Sequence, residues 1–219
     1  MNTAILGSSF DPPHNGHLAI ARCLLKSQII QKVILMPARI HPFAKKMSIS
    51  RHRLEMAKLL ANELYKRHSG ERSDSRIPSG NKRFWTSQND ERDIEVSDLE
   101  LRKQSTSYSI DTLKTLQKQS PSDHFFWIIG SDNIKDFKKW KNWREIIEKF
   151  GLIIVSRHIR SPRRSPFGHL RGGKLIWLHF IPINISSTEV RKRVKEGKSI
   201  TVLVPEKIEE YIIQKKLYL

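Results

Sequence analysis

Along this chain, short unbroken apolar runs alternate with stretches in which apolar residues recur every three or four positions. The first rhythm belongs to buried strands, the second to helices with one apolar face. TAILGSSF, Thr3 to Phe10, reads as a strand ending in a Gly/Ser turn, and GHLAIARCLLKSQ as a helix with Leu18, Ala21 and Leu25 on one face. KVILMP is a second strand, stopped by Pro37. SRHRLEMAKLLANELYKR is a strong helix with Leu54, Ala57, Leu60, Ala61 and Leu64 at helical spacing. IEVSDLEL reads as strand, SIDTLKTLQKQ as helix, and HFFWIIG as a buried strand ending at Gly130. NIKDFKKW and WREIIEKF read as short helices, LIIVSR and KLIWLHFIPI as strands. STEVRKRVKEG is a helix closed by Gly197, and PEKIEEYIIQKKL a last helix with Pro205 near its first position.

Repeated strand-then-helix order with short connections predicts an α/β fold, a parallel sheet with helices on both faces. In such folds ligands bind beyond the carboxyl ends of the strands, where chain direction switches. No internal repeat interrupts the pattern. Residues 69–92 do: they are polar, rich in Gly, Ser and Asn, and offer only Phe84 and Trp85 as apolar anchors. They read as an exposed excursion.

Charge changes the picture more than composition does. The net charge is +18, which suits polyanions, membrane surfaces or phosphorylated small molecules. No apolar run approaches the ~20 residues that span a bilayer, and the first ten residues lack the basic start of a secretory signal. Cys23 is the one cysteine, so no internal disulfide is available and a cytoplasmic, reducing location fits; Cys23 itself reads as part of an apolar helix face. Residues 151–180 hold no Asp or Glu but carry Arg157, Arg160, Arg163, Arg164, Arg171 and Lys174. This segment reads as a solvated basic loop. It lacks the interleaved aromatics of a base-stacking surface and matches no nucleic-acid-binding motif, so nucleic acid is not the expected partner.

Two stretches bear chemistry. In GSSFDPPHNGH, Gly7, Ser8 and Ser9 end a strand, and small residues there let backbone N–H groups approach an anion closely. The helix starting at residues 15–17 turns its positive dipole end to the same space. His14 and His17 lie one turn apart, so both imidazoles can face one ligand; Gly16 allows close approach and Asp11-Pro12-Pro13 stiffens the corner. The alternative is a strand-to-helix turn with incidental histidines. In ISSTEVRKRV, Ser186 and Glu189 have the spacing of a capping box. The helix start then presents Ser187, Thr188 and, a turn further, Arg191. Alone it is only a well-capped basic helix; beside the first corner it is a second phosphate grip.

The pattern G-x-S/T-F-D-P-x-H-x-G-H, with I-S-S-T-x-V/I-R near the far end, resembles the nucleotidyltransferase superfamily that carries the H-x-G-H signature. DLELRKQSTSYSIDTL, FFWIIGSDNIKDFKKWKNWREI and LVPEKIEEYIIQKKLY are similar to passages of the bacterial nicotinate-nucleotide adenylyltransferase family. The resemblance covers nearly the whole chain except 66–92 and 158–173. It implies a single Rossmann-like nucleotidyltransferase domain over 1–219, with a polar insertion at about 66–92 and a basic loop at about 158–173. It also implies a reaction, in which nicotinate mononucleotide attacks ATP to give the deamido-dinucleotide and pyrophosphate. By resemblance His14 and His17 are the catalytic pair. Gly7, Ser8, Ser9, Phe10, Ser186, Ser187, Thr188 and Arg191 serve the ATP phosphates, and Gly130 and Asp132 the ribose hydroxyls. Trp140 is the platform for the pyridine ring, its alternative being a core tryptophan, and Tyr108 and Ser109 border the nicotinate carboxylate. Mg²⁺ is expected, bound mainly through the ATP phosphates.

The chain departs from the family pattern twice. Ser8 stands where the family usually has a second glycine. The basic segment after the second strand reads HPFAKK, so Lys45 or Lys46 supplies the phosphate charge, with His41 nearby and incidental. Rival readings are an adenylyltransferase for nicotinamide mononucleotide or phosphopantetheine, an RNA-binding module on the same scaffold, and a tRNA-charging enzyme. The last needs a much longer chain, and the phosphopantetheine enzyme is shorter and lacks TSYSIDTL and FKKW. The sequence leaves the oligomeric state, a homo-oligomer included, open.

Overall fold

The structure, a computed structural model, describes residues 1–39, 47–66, 93–103, 107–156, 166–167, 174–179 and 185–219. The apolar runs form strands β1 (Asn2–Ser8), β2 (Lys32–Pro37), β3 (Asp93–Val96), β4 (His124–Gly130), β5 (Leu152–Ser156) and β6 (Leu175–His179). They make one sheet in the order β3-β2-β1-β4-β5-β6, with every adjacent pair parallel. Helices α1 (Asn15–Lys26), α2 (Ser50–Lys66), α3 (Ser109–Gln119), α4 (Ile134–Phe137) and α5 (Trp143–Glu145) lie in the connections between strands, and α6 (Ser187–Lys195) and α7 (Glu206–Gln214) follow β6.

Side chains alternate across the strands, and the two sets are covered by different helices. Ala4, Leu6, Val33, Leu35, Phe126 and Ile128 meet Leu25 of α1, Leu60 of α2, Val190 of α6 and Ile208 of α7. Ile5, Ile34, Phe125, Trp127 and Ile129 meet Ile110, Leu113 and Leu116 of α3, together with Phe137 and Ile147. Of the expected α1 face, Leu18, Ala21 and Leu25 are all buried. On α2 the stripe is shifted: Met56, Ala57, Leu60 and Leu64 are fully buried and continue a row that begins with the buried side chain of Arg53, whereas Leu54 and Ala61 only pack against the core edge.

Three elements are shorter than their patterns. Of IEVSDLEL only the first three residues are strand, within Asp93–Val96; Ser97 still donates to the Leu35 carbonyl at 3.0 Å, and the chain then turns at Leu99–Arg102. NIKDFKKW condenses to a 3₁₀ turn, Ser131–Asn133, and the four residues of α4. WREIIEKF splits into α5 and a π-helical turn, Ile146–Phe150, which seats Ile146, Ile147 and Phe150 together in the core before Gly151. Of the two expected excursions, 67–92 lies outside the described residues, with Phe84 and Trp85. In the basic loop Phe167 is described. It is buried against Phe137 and Trp143, with ring centroids 5.4 and 6.0 Å apart. No helix among the described residues is long and apolar enough to cross a membrane.

The sheet order reverses direction between β1 and β4. That switch leaves a crevice beyond their carboxyl ends, and the Gly7–Ser9 and Gly130–Asp132 turns open onto it.

Candidate active site

The chain leaves β1 through Ser8 and Ser9 and reverses at Phe10, whose φ of 48° is left-handed and costly for an aromatic residue. Burial holds it there: the Phe10 side chain is fully enclosed, its ring 5.0 Å from that of His17. Phe10 therefore has only its backbone to offer a ligand, and its side chain is the anchor of the turn. Asp11, also buried, uses its carboxylate internally, accepting from the Ser48 N–H and hydroxyl and from the Tyr218 hydroxyl.

His14 is the N-cap of α1, and it caps with its ring. Nδ1 of His14 accepts from the Gly16 N–H at 3.2 Å, and Nδ1 of His17 accepts from the His14 N–H at 3.2 Å. The pair is a capping box built from two histidines. It fixes both tautomers, because an Nδ1 that accepts carries no proton, so each neutral ring carries its proton on Nε2. The rings lie 4.0 Å apart, centroid to centroid. Burial lowers the His14 pKa from 6.5 to about 4 and holds that of His17 well below its ordinary value, with His14 adding to the effect on His17. Near neutral pH both are uncharged donors. The need for glycine at 16 lies in the His14 ring: a Cβ on Gly16 would sit 2.9 Å from it. Gly7 is bare for a similar reason, since a Cβ there would sit 2.8 Å from the Trp127 ring.

These groups face a cavity of about 970 Å³ at the switch point. Its walls unite Gly7, Ser8, Ser9, His14 and His17 on one side with Gly130, Asp132, Tyr108, Ser109 and Trp140 on the other. Trp140 is half-buried, resting on Phe137 at 5.1 Å with its ring open to the cavity; it is neither a core tryptophan nor fully exposed. Tyr108 is exposed at the rim beneath the Lys141 ammonium, 4.7 Å from its ring centroid, and Lys141 also reaches Asp111 at 3.0 Å.

Of the second stretch, Ile185 lines this cavity, whereas Ser186, Ser187, Thr188 and Arg191 are not part of its wall. Ser186 accepts from the Glu189 N–H at 3.2 Å, but the Glu189 carboxylate turns to Arg193 at 2.9 Å, so only half a capping box forms. Ser187 donates to the Pro12 carbonyl at 2.8 Å, and Arg191 donates to the Asp11 carbonyl and, at 3.3 Å, to the Thr188 hydroxyl. Ser187 and Arg191 thus tie α6 to the His14 corner; Ser186 and Thr188 are exposed beside it. Lys45, Lys46 and His41 lie outside the described residues.

Sequence reasoning passed over three residues of the site. Arg53, fully buried, donates to the carbonyls of Ser48, Ser9, Ala38 and Arg39 and to the Ser50 hydroxyl, joining the loops after β1 and β2 to α2. Its signal was an arginine in register with the apolar stripe. Glu100 and Trp127 also line the cavity. Burial raises the Glu100 pKa, opposed by the Thr112 hydroxyl that donates to it at 2.9 Å. Among the described residues no three His, Cys, Asp or Glu converge to hold a metal ion. Asp11, the buried carboxylate of this corner, is engaged internally by Ser48 and Tyr218.

A six-stranded parallel sheet with a histidine-capped helix start opening on the cavity at its switch point has the α/β architecture of the nucleotidyltransferase type. The cytidylyltransferase-like family model matches residues 5–193, and the chain belongs to that family. It is 32% identical, over the whole of both chains, to a protein of Dictyoglomus thermophilum named "probable nicotinate-nucleotide adenylyltransferase". A Buchnera aphidicola protein of the same name is 33% identical, with 98% of this chain and 96% of that one aligned. Among solved structures, a Plasmodium falciparum nicotinic acid mononucleotide adenylyltransferase complexed with NaAD superposes with a TM-score of 0.72 at 22% identity, covering 99% of this chain and 97% of that one. The same enzyme complexed with APC gives 0.68. At that identity the likeness concerns the fold.

Proposed function

We infer that the protein transfers the adenylyl group of ATP to nicotinate mononucleotide, giving deamido-NAD and pyrophosphate. The observation that carries this is the histidine capping box: two neutral imidazoles, each locked as an Nε2–H donor, at a helix N-terminus inside a cavity large enough for two nucleotides. An oxygen of the mononucleotide phosphate attacks the α-phosphorus of ATP. The new P–O bond forms as the bond to the bridging oxygen breaks, and pyrophosphate leaves with that electron pair. The attacking phosphate is already anionic, so neither a protein nucleophile nor a general base is required. Such transfers run on positioning and on stabilising charge as it develops.

In this reading His14 and the α1 N-terminus meet the ATP phosphates, with Gly7, Ser8 and Ser9 closing the turn against them. Asp132 accepts from ribose hydroxyls. Trp140 offers its open face to the pyridine ring, and Tyr108 and Ser109 border the carboxylate. Ser186, Thr188 and Lys45 supply further contacts to ATP, whereas Ser187 and Arg191 hold the helix that presents them. Mg²⁺ enters as part of the substrate, on the ATP phosphates, and neutralises their charge. A cytoplasmic location and a single domain go with this reading.

The test is pyrophosphate release from ATP and Mg²⁺ with nicotinate mononucleotide or with its amide. Release that is faster with the nicotinate form supports the inference; faster release with the amide reassigns the acceptor, and none with either ends it.

A further inference from the structure

The second imidazole of the pair does not present its proton to the cavity directly. Nδ1 of His17 is occupied by the His14 N–H, so the proton of the neutral ring is on Nε2. That Nε2 lies 3.0 Å from the Ser8 hydroxyl oxygen. With the tautomer fixed, only one direction is open: His17 donates and Ser8 accepts. Ser8 is half-buried and lines the cavity. With its oxygen already accepting, its own O–H is free to turn to an anion there, and a hydroxyl that accepts a hydrogen bond is a better donor. His14 has no such intermediary; its Nε2 makes no hydrogen bond among the described residues and its ring lines the same cavity.

We propose that Ser8 is a catalytic donor to the ATP phosphates and that His17 is its positioning residue, so that the two histidines act by different routes, His14 directly and His17 through the Ser8 hydroxyl. This rests on the adenylyl-transfer reading above and assigns a role to the residue that stands where the family pattern usually has glycine. A chain with glycine at that position would leave the His17 Nε2–H free to face the phosphate; here the serine extends the same donor outward by one hydroxyl.

Two measurements test this. The first is a mutant cycle with pyrophosphate release as readout and melting temperature as the check on folding. Ser8→Ala should lower kcat about 10- to 100-fold, the cost of one preorganised donor, with a smaller change in KM, and Ser8→Thr should recover most of it. His17→Ala should lose as much, and Ser8→Ala with His17→Ala no more than the worse single change, since the two act in series. A Ser8→Ala rate within about twofold of the starting protein, or losses that multiply in the double variant, would overturn the relay. The second uses ¹⁵N-histidine-labelled protein without acceptor, so it reads independently of the mononucleotide. His17 should be protonated at Nε2, and its signal should move on adding ATP in the starting protein and much less in Ser8→Ala. Protonation at Nδ1, or an unchanged ATP response in Ser8→Ala, would reject the proposal. A protein that binds ATP in this way yet releases no pyrophosphate would instead reject the acceptor assignment.

Discussion

At the scale of single residues, the site depends on keeping protons off imidazoles. His14→Ala removes the cap of α1 and, on the proposed reading, a donor to the phosphates, so kcat should fall by roughly 100- to 1000-fold; a rate within tenfold would place His14 outside the reaction. Because the native His14 binds its proton only near pH 4 whereas the unfolded chain binds it near 6.5, the unfolded state holds more protons between those values. The contribution of neutral His14 to stability is therefore fully present above about pH 6.5 and is lost progressively on acidification toward pH 4, with His17 acting in the same direction. Urea unfolding at pH 7.5 and 4.5 should show a loss that His14→Ala reduces. Gly16→Ala forces the His14 ring aside and should lower kcat with little change in melting temperature. The sequence could place His14 and His17 on one corner because a three-residue spacing at a strand-to-helix turn brings both rings to one side, but the role expected of them came only with the resemblance. Arg53 was not legible, since an arginine on a helix ordinarily faces water, and the sequence does not reveal which carbonyls will need it.

At the scale of elements, the site is held by connections between loop and helix. Arg53 satisfies carbonyls from both strand-ending loops, and Arg53→Ala would strand them in the interior at about 1–3 kcal/mol each. The expected result is a melting temperature lower by about 10 °C or more, at about 2–4 °C per kcal/mol for a chain of this size, and weaker ATP binding in the fraction that remains folded. Tyr218→Phe removes only a hydroxyl from Asp11 and should cost about 1–2 kcal/mol in urea unfolding. Regular elements were readable from spacing because each buries one face. The π-helical turn at Ile146–Phe150 was not, because a helical pattern does not say when one extra residue is accommodated to bring three apolar side chains into the same core. Nor was the outward role of Glu189: its spacing from Ser186 suits a cap, but a cation one turn on at Arg193 draws its carboxylate away.

At the scale of the molecule, strand order was legible only as a class. Alternation of strand and helix predicts a parallel sheet, but the order β3-β2-β1-β4-β5-β6 follows from which faces pack, and it is that order which sets Gly7 beside Gly130. The same topology draws the corner at residues 9–14 together with distant segments: Arg191 meets Asp11 across 180 positions and Tyr218 meets it across 207. Ser187, Arg191 and Tyr218 brace the corner from the far end of the chain, so a nucleotide bound there as proposed favours the finished fold over states in which these contacts are unmade. ATP bound as proposed would then act as a folding stabiliser as well as a substrate: at one hundred times its dissociation constant it should raise global stability by about 2.7 kcal/mol, and amides buried at the corner should exchange their hydrogens only when the whole sheet opens.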